Sequence, residues 1–215
     1  MTAGKVSSEL EISALLCSRV CHDVIGPVGA IINGLEVLDD DEDGEMRDIA
    51  FDLIRKSARQ ASAKLQFCRL AFGAAGSAGA ELDLGDAQHV VETLLADEKV
   101  TLEWAAPHEV RPKNQVKLLL NLVLIAMGSI PRGGTLTVTL QGDALQVSAT
   151  GEGATVPQIT QQMFAGDPPE DGLDARSVQL HYALELASAL GLDVAADASD
   201  GRVEINARPR AEAAA

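Results

Sequence analysis

The chain has 215 residues, 47% of them hydrophobic but only 3% aromatic, and a formal charge of −15. That length holds one large or two small domains, and the core must be aliphatic and alanine-rich, as in helix bundles. The negative charge argues against nucleic acid or an anionic membrane as partner, and no apolar run reaches the ~18 residues of a membrane span. The spacing predicts a first helix from about Ser8 to Leu38, with Val20, Val24, Pro27/Val28, Ile31, Leu35 and Leu38 forming one buried stripe. At roughly 100° per residue, His22 points about 160° away from that stripe, into solvent. Ser18, Arg19, Gly26, Gly29 and Asn33 share its face and are mostly small, so another protein's backbone can come close to the imidazole. Gly26, Pro27 and Gly29 are poor helix-interior residues, with Pro27 expected to kink the helix, and such breaches of local rules concentrate at functional sites. The plain alternative is an incidental surface histidine.

Asp39 to Gly44 reads as an acidic turn. A second helix from about Glu45 to Phe72 carries Met46, Ala50, Ile54, Ser57, Ala61, Leu65, Cys68 and Phe72 at heptad spacing. Such seams exceed what one hairpin can cover, so two copies are expected to pair as a four-helix bundle. Cys17, Cys21 and Cys68 are taken as small buried hydrophobes, because Cys17 and Cys21 lie near the stripe that His22 faces away from and cannot join it on one metal ion.

Residues 73–80 are small and uncharged and read as a linker. After them the spacing predicts helices at Asp86–Ala96, Asn114–Ser129 and Ser177–Ala189, and a strand at Lys99–Trp104. Two hairpins are expected: Thr135–Gln141 with Ala144–Thr150, and Leu192–Ala198 with Arg202–Ala207. The expected fold class is α+β: a helical hairpin over 1–72 and a two-layer α/β sandwich over 81–215 with a mostly antiparallel sheet.

His22-Asp23-x-x-x-Pro27, with Ala30-Ile31 and Glu36-Val37-Leu38 after it, resembles the phospho-accepting box of sensor histidine kinases. The whole arrangement resembles the ChpT family of bacterial histidine phosphotransferases, in which a His-Asp hairpin precedes a kinase-type domain that has lost its nucleotide site. Asn121 to Gly128 and Ile130 to Gly134 match the scaffold of the kinase asparagine box, but the Mg²⁺-binding asparagine is Ile125 and the following basic residue is Gly128. Val147 to Gly153 keeps the frame of the adenine box with Ala149 where its aspartate belongs, and Val178 to Tyr182 replaces the glycine-rich lid without a glycine.

The resemblance implies a dimeric phosphotransferase that takes a phosphoryl group from the receiver domain of a hybrid histidine kinase and passes it to response regulators. It implies His22 as phospho-acceptor and Asp23 as an orienting group or base, with a solvated surface acid as the plain alternative for Asp23. Arg19 is a candidate for phosphate or the acidic receiver pocket, and Leu15, Ile25, Gly26, Gly29 and Asn33 for docking. No cofactor or metal of its own is expected, since the partner receiver supplies Mg²⁺. A neutral imidazole suits this chemistry because an unperturbed histidine titrates near pH 6.5. An authentic kinase with a divergent pocket and a docking adaptor without chemistry are the competing readings. Met1 to Lys5 lacks the apolar core of a signal peptide, so the expected location is the cytoplasm.

Overall fold

Ser8 begins the first helix by accepting a hydrogen bond from the Glu11 N–H at 3.2 Å, and Glu9 and Glu11 place negative charge at the positive helix end. This is α1 (Glu9–Asp40) in a computed structural model that describes residues 8–41, 44–73 and 81–210. The helix runs unbroken through Pro27, whose ring is buried, so the expected kink does not interrupt it. Gly44, at φ 75°, helps turn the chain into α2 (Arg47–Ala71).

The single stripe expected on α1 is split in two. Pro27 and Gly34, one heptad apart, are the buried residues and face α2, whereas Val28, Ile32 and Leu35 are 41%, 52% and 49% exposed. The sequence stripe runs between these two faces, which is why it read as one. Gly34 lets the helices meet closely, with Ile54 and the Ala50 carbonyl directly opposite. The heptad seam on α2 is accordingly used inside the hairpin: Ala50, Ser57, Ala61 and Cys68 are buried and Ile54 half-buried, while Met46 and Leu65 stay exposed. Cys17 and Cys21 are exposed too, correcting the expectation that they are buried. They lie on the outer apolar face of α1. By length and composition α1, alone among the described helices, is apolar enough to cross a membrane, with an 18-residue window of mean hydropathy 1.5, so the expectation that no segment qualifies is also corrected.

The linker expected at 73–80 lies, beyond Gly73, outside the described residues. The α/β part begins with β1 (Glu81–Asp83) and α3 (Leu84–Leu95), which Asp83 caps by accepting the Gly85 N–H. There follow β2 (Val100–Trp104), β3 (Val110–Pro112), α4 (Lys113–Gly128), β4 (Gly134–Gln141), β5 (Ala144–Thr150), α5 (Gln158–Phe164), α6 (Val178–Ala189), β6 (Leu192–Ser199) and β7 (Arg202–Pro209). The main sheet has the order β2-β4-β5-β7-β6, parallel only between β2 and β4, and β1 pairs with β3. Gly142 and the Asp200-Gly201 pair adopt positive φ at the two hairpin turns, where the sequence placed them.

α4 is apolar almost all round, because the sheet, α3, α6 and α2 all pack on it. Leu118, Leu119, Leu120, Leu122 and Val123 meet Leu136, Val138, Val147 and Ile205 in one core. Phe67 and Ala71 at the end of α2 join that core, which seats the hairpin on the α/β part. The fold is thus the expected α+β arrangement, to which the short elements β1, β3 and α5 are additions.

Candidate functional site

His22 sits midway along α1 with its side chain 80% exposed. Asp23 Oδ1 lies 3.6 Å from His22 Nδ1, too far for a hydrogen bond but on the same side of the ring as that nitrogen. The other Asp23 oxygen accepts from Arg19 Nε at 3.0 Å, the one-turn spacing that brings helix side chains together. Arg19 also donates through Nη1 to the Ala175 carbonyl at 3.4 Å, a residue 156 positions away. The expected phosphate-seeking arginine is therefore part of the frame. It ties the carboxylate to the α/β part.

The groove that results has a volume of about 520 Å³ and is lined by Arg19, His22, Asp23, Asp174, Ala175 and Arg176. Asp174 closes the turn into α6. Its Oδ1 accepts the Ser177 N–H at 2.7 Å, the Ser177 hydroxyl at 2.7 Å and the Arg176 N–H at 2.9 Å. Those bonds from Ser177 and Arg176 hold the Asp174 carboxyl below the usual carboxylate range. The three residues 174–176 were missed from sequence. Asp174 and Ser177 are turn-forming residues before an apolar run, but nothing local places that turn beside His22.

Ile25 is 71% exposed, Gly26 and Asn33 are exposed, and Gly29 is half-buried. A Cβ at Gly26 or Gly29 would meet nothing within 4 Å, so this side of α1 is bare. Leu15 is half-buried, not exposed as its docking role required. Cys68 lies behind Asp23, and burial first, then the Asp23 charge, pushes its thiol up to about 11. Among the described residues no three His, Cys, Asp or Glu side chains converge as a metal site.

The region resembling a nucleotide pocket is packed with protein. Ile125 and Ala149 are buried in the aliphatic core at 4% and 0% exposure. Asn121, fully buried, donates to the Lys117 carbonyl at 2.8 Å and to the Ala71 carbonyl of α2 at 3.4 Å. Gln179 of α6 donates in turn to the Asn121 carbonyl and side-chain oxygen, at 3.0 and 3.2 Å. Tyr182 meets the Phe72 ring edge-on with centroids 5.8 Å apart, and Lys117 Nζ lies 3.3 Å from its hydroxyl. Desolvation lowers the Lys117 pKa and raises that of Tyr182. α2, α4 and α6 are thereby fastened at one junction. His89 and His108 are exposed and His181 is half-buried; none lines the His22 groove.

A family model for the histidine phosphotransferase C-terminal domain matches residues 84–202. A Brucella abortus protein described as protein phosphotransferase ChpT is 47% identical over 196 residues, covering 89% of this chain and 92% of its own length. A bacterial phosphotransferase of known structure superposes with a TM-score of 0.88 at 43% identity, over 96% of this chain and 100% of its own.

Proposed function

The chain belongs to the ChpT family of histidine phosphotransferases, and from that premise we propose that His22 relays a phosphoryl group between the aspartates of two receiver domains. The observation that carries this reading is the exposed imidazole in a groove built jointly by α1 and the turn before α6. With the Asp23 carboxylate beside Nδ1, the neutral ring keeps its proton there and offers the Nε2 lone pair to phosphorus. Nε2 forms the new bond, the donor's aspartyl oxygen leaves with its electron pair, and an acceptor aspartate later reverses the step. Such a transfer demands positioning and charge neutralisation more than covalent chemistry from the protein. The receiver brings Mg²⁺ in its own acidic site, and this chain contributes the nucleophile and the docking face.

The same reading gives the uncovered apolar surface a use. Val28, Ile32 and Leu35 on α1, with Phe51 and Leu65 on α2, fit a second hairpin better than lipid. Arg19, His22 and Asp23 interrupt the apolar surface of the helix midway, where a membrane span is most averse to charge. We therefore place the protein in the cytoplasm as a homodimer with a four-helix bundle at its centre.

Incubation with a receiver domain phosphorylated by acetyl phosphate tests the central claim. Acid-labile label is expected on the parent and none on His22→Ala, with unchanged circular dichroism because the removed side chain fills no cavity. Equal labelling of the variant would remove His22 from the reaction.

A further inference from the structure

We propose that Arg176, carried by the α/β part, binds the phosphoryl oxygens as they pass to and from His22. This rests on the phosphotransfer reading and adds a residue from outside the hairpin to it.

The charged groups of the groove can be followed one by one. Asp23 is engaged by Arg19, and Arg19 by Asp23 and the Ala175 carbonyl. Asp174 is engaged by the N–H groups of Arg176 and Ser177 and by the Ser177 hydroxyl. What remains is the His22 ring and the Arg176 guanidinium. Arg176 is exposed, and its side chain makes no hydrogen bond or ion pair among the described residues. Its backbone is nevertheless held on both sides, by Arg19 at Ala175 and by the bond from the Ser177 N–H to Asp174, and its own N–H also donates to Asp174.

An arriving phosphoryl group brings close to two negative charges into a groove that already holds two carboxylates. The chain itself carries −15. That step needs a cation with donors to spare, and Arg176, whose charge otherwise acts only at a distance on Asp174, is the one that the groove offers. A planar guanidinium presents paired donors that match two phosphoryl oxygens, and such charge-assisted bonds are among the stronger ones. In the forward step the Nε2–P bond forms, the P–O bond to the donor aspartate breaks, and that carboxylate leaves with the electron pair. The ring proton stays on Nδ1. Arg176 exchanges no proton and only donates hydrogen bonds to the oxygens.

Phosphoramidate separates this role from receiver docking. It phosphorylates histidine directly, breaking its P–N bond and releasing ammonia, with no receiver in the tube. The full-length parent, Arg176→Ala, Arg176→Lys and His22→Ala would be labelled side by side, and the first three compared at saturating receiver phosphate as well. Arg176→Ala is expected to slow His22 labelling by about 10- to 100-fold with phosphoramidate and to lower the saturated rate with the receiver. Arg176→Lys should recover part of the loss, and both variants should melt like the parent. An unchanged phosphoramidate rate in Arg176→Ala overturns the proposal, including the case in which receiver transfer alone weakens through a raised KM. A parent unlabelled at His22 by either donor is a different failure, since it removes the phosphotransfer reading itself.

Discussion

A Cβ placed on Gly34 of α1 would lie 2.6 Å from Cγ1 of Ile54 in α2, and 3.3 Å from the Ala50 carbonyl. Alanine ordinarily strengthens a helix interior by about 1 kcal/mol over glycine. Here the Ile54 side chain must shift and the Ala50 carbonyl give way by a few tenths of an ångström to admit the methyl group, and overpacking of that kind costs about 1–3 kcal/mol. Gly34→Ala should therefore lower the thermal midpoint despite its better helix propensity. A midpoint at or above the parent's would mean that the hairpin is looser than this contact implies.

Gly26 is the opposite case, with open space around its missing Cβ and a place one turn beyond His22. Gly26→Leu should raise stability by about 0.5–1 kcal/mol. Transfer from a phosphorylated receiver should fall on the order of 100-fold, because a displacement of about 1 Å between reacting groups costs that much. Parental transfer rates in this variant would show that the receiver approaches from another side.

The homodimer is best challenged where the monomer is bare. Leu35 is 49% exposed, so Leu35→Glu leaves the hairpin core intact and puts a carboxylate only into the surface assigned to the second copy. Light scattering should report a monomer whose helical circular dichroism is retained. Ile54→Glu, by contrast, strikes the packing of Ile54 on Gly34 and should loosen the hairpin itself. A Leu35→Glu dimer as tight as the parent would place the interface elsewhere.

Restoring the kinase-type polar residues should not restore a nucleotide site. Ile125→Asn and Ala149→Asp each put a polar group into the aliphatic core, at a cost of about 2 kcal/mol or more without a partner. Calorimetric titration with Mg²⁺-ATP is expected to show no binding for the parent or either variant. Micromolar affinity in the parent would revive the kinase reading.

Much of this fold is written locally. The five longer helices and both β-hairpins follow from periodicity and turn residues, and the bare face of His22 from its angle on α1. The omissions share a cause. β1 and β3 have three residues each and exist only because they pair with one another across α3. α5, with the sequence Gln158 to Phe164, is too short to show a period. The two-faced surface of α1 merges into one stripe when read along a line, which misassigned Cys17, Cys21 and part of the α2 seam. The turn at 174–176 reaches His22 only through tertiary packing, so no spacing in the sequence announces it.

Each chain offers one imidazole in one groove, and the hydrogen bond from Arg19 to the Ala175 carbonyl ties its two walls together. A donor receiver and an acceptor receiver therefore cannot be bound at the same histidine together. The reaction must alternate, with the first product leaving before the second substrate arrives, and each receiver must inhibit the other competitively. On the proposed role of His22, direction is then set by traffic: whichever receiver population is richer in phosphate loads the imidazole, and the poorer one empties it. A protein built this way has no need of an internal switch to reverse the flow, because the ratio of its customers already decides it.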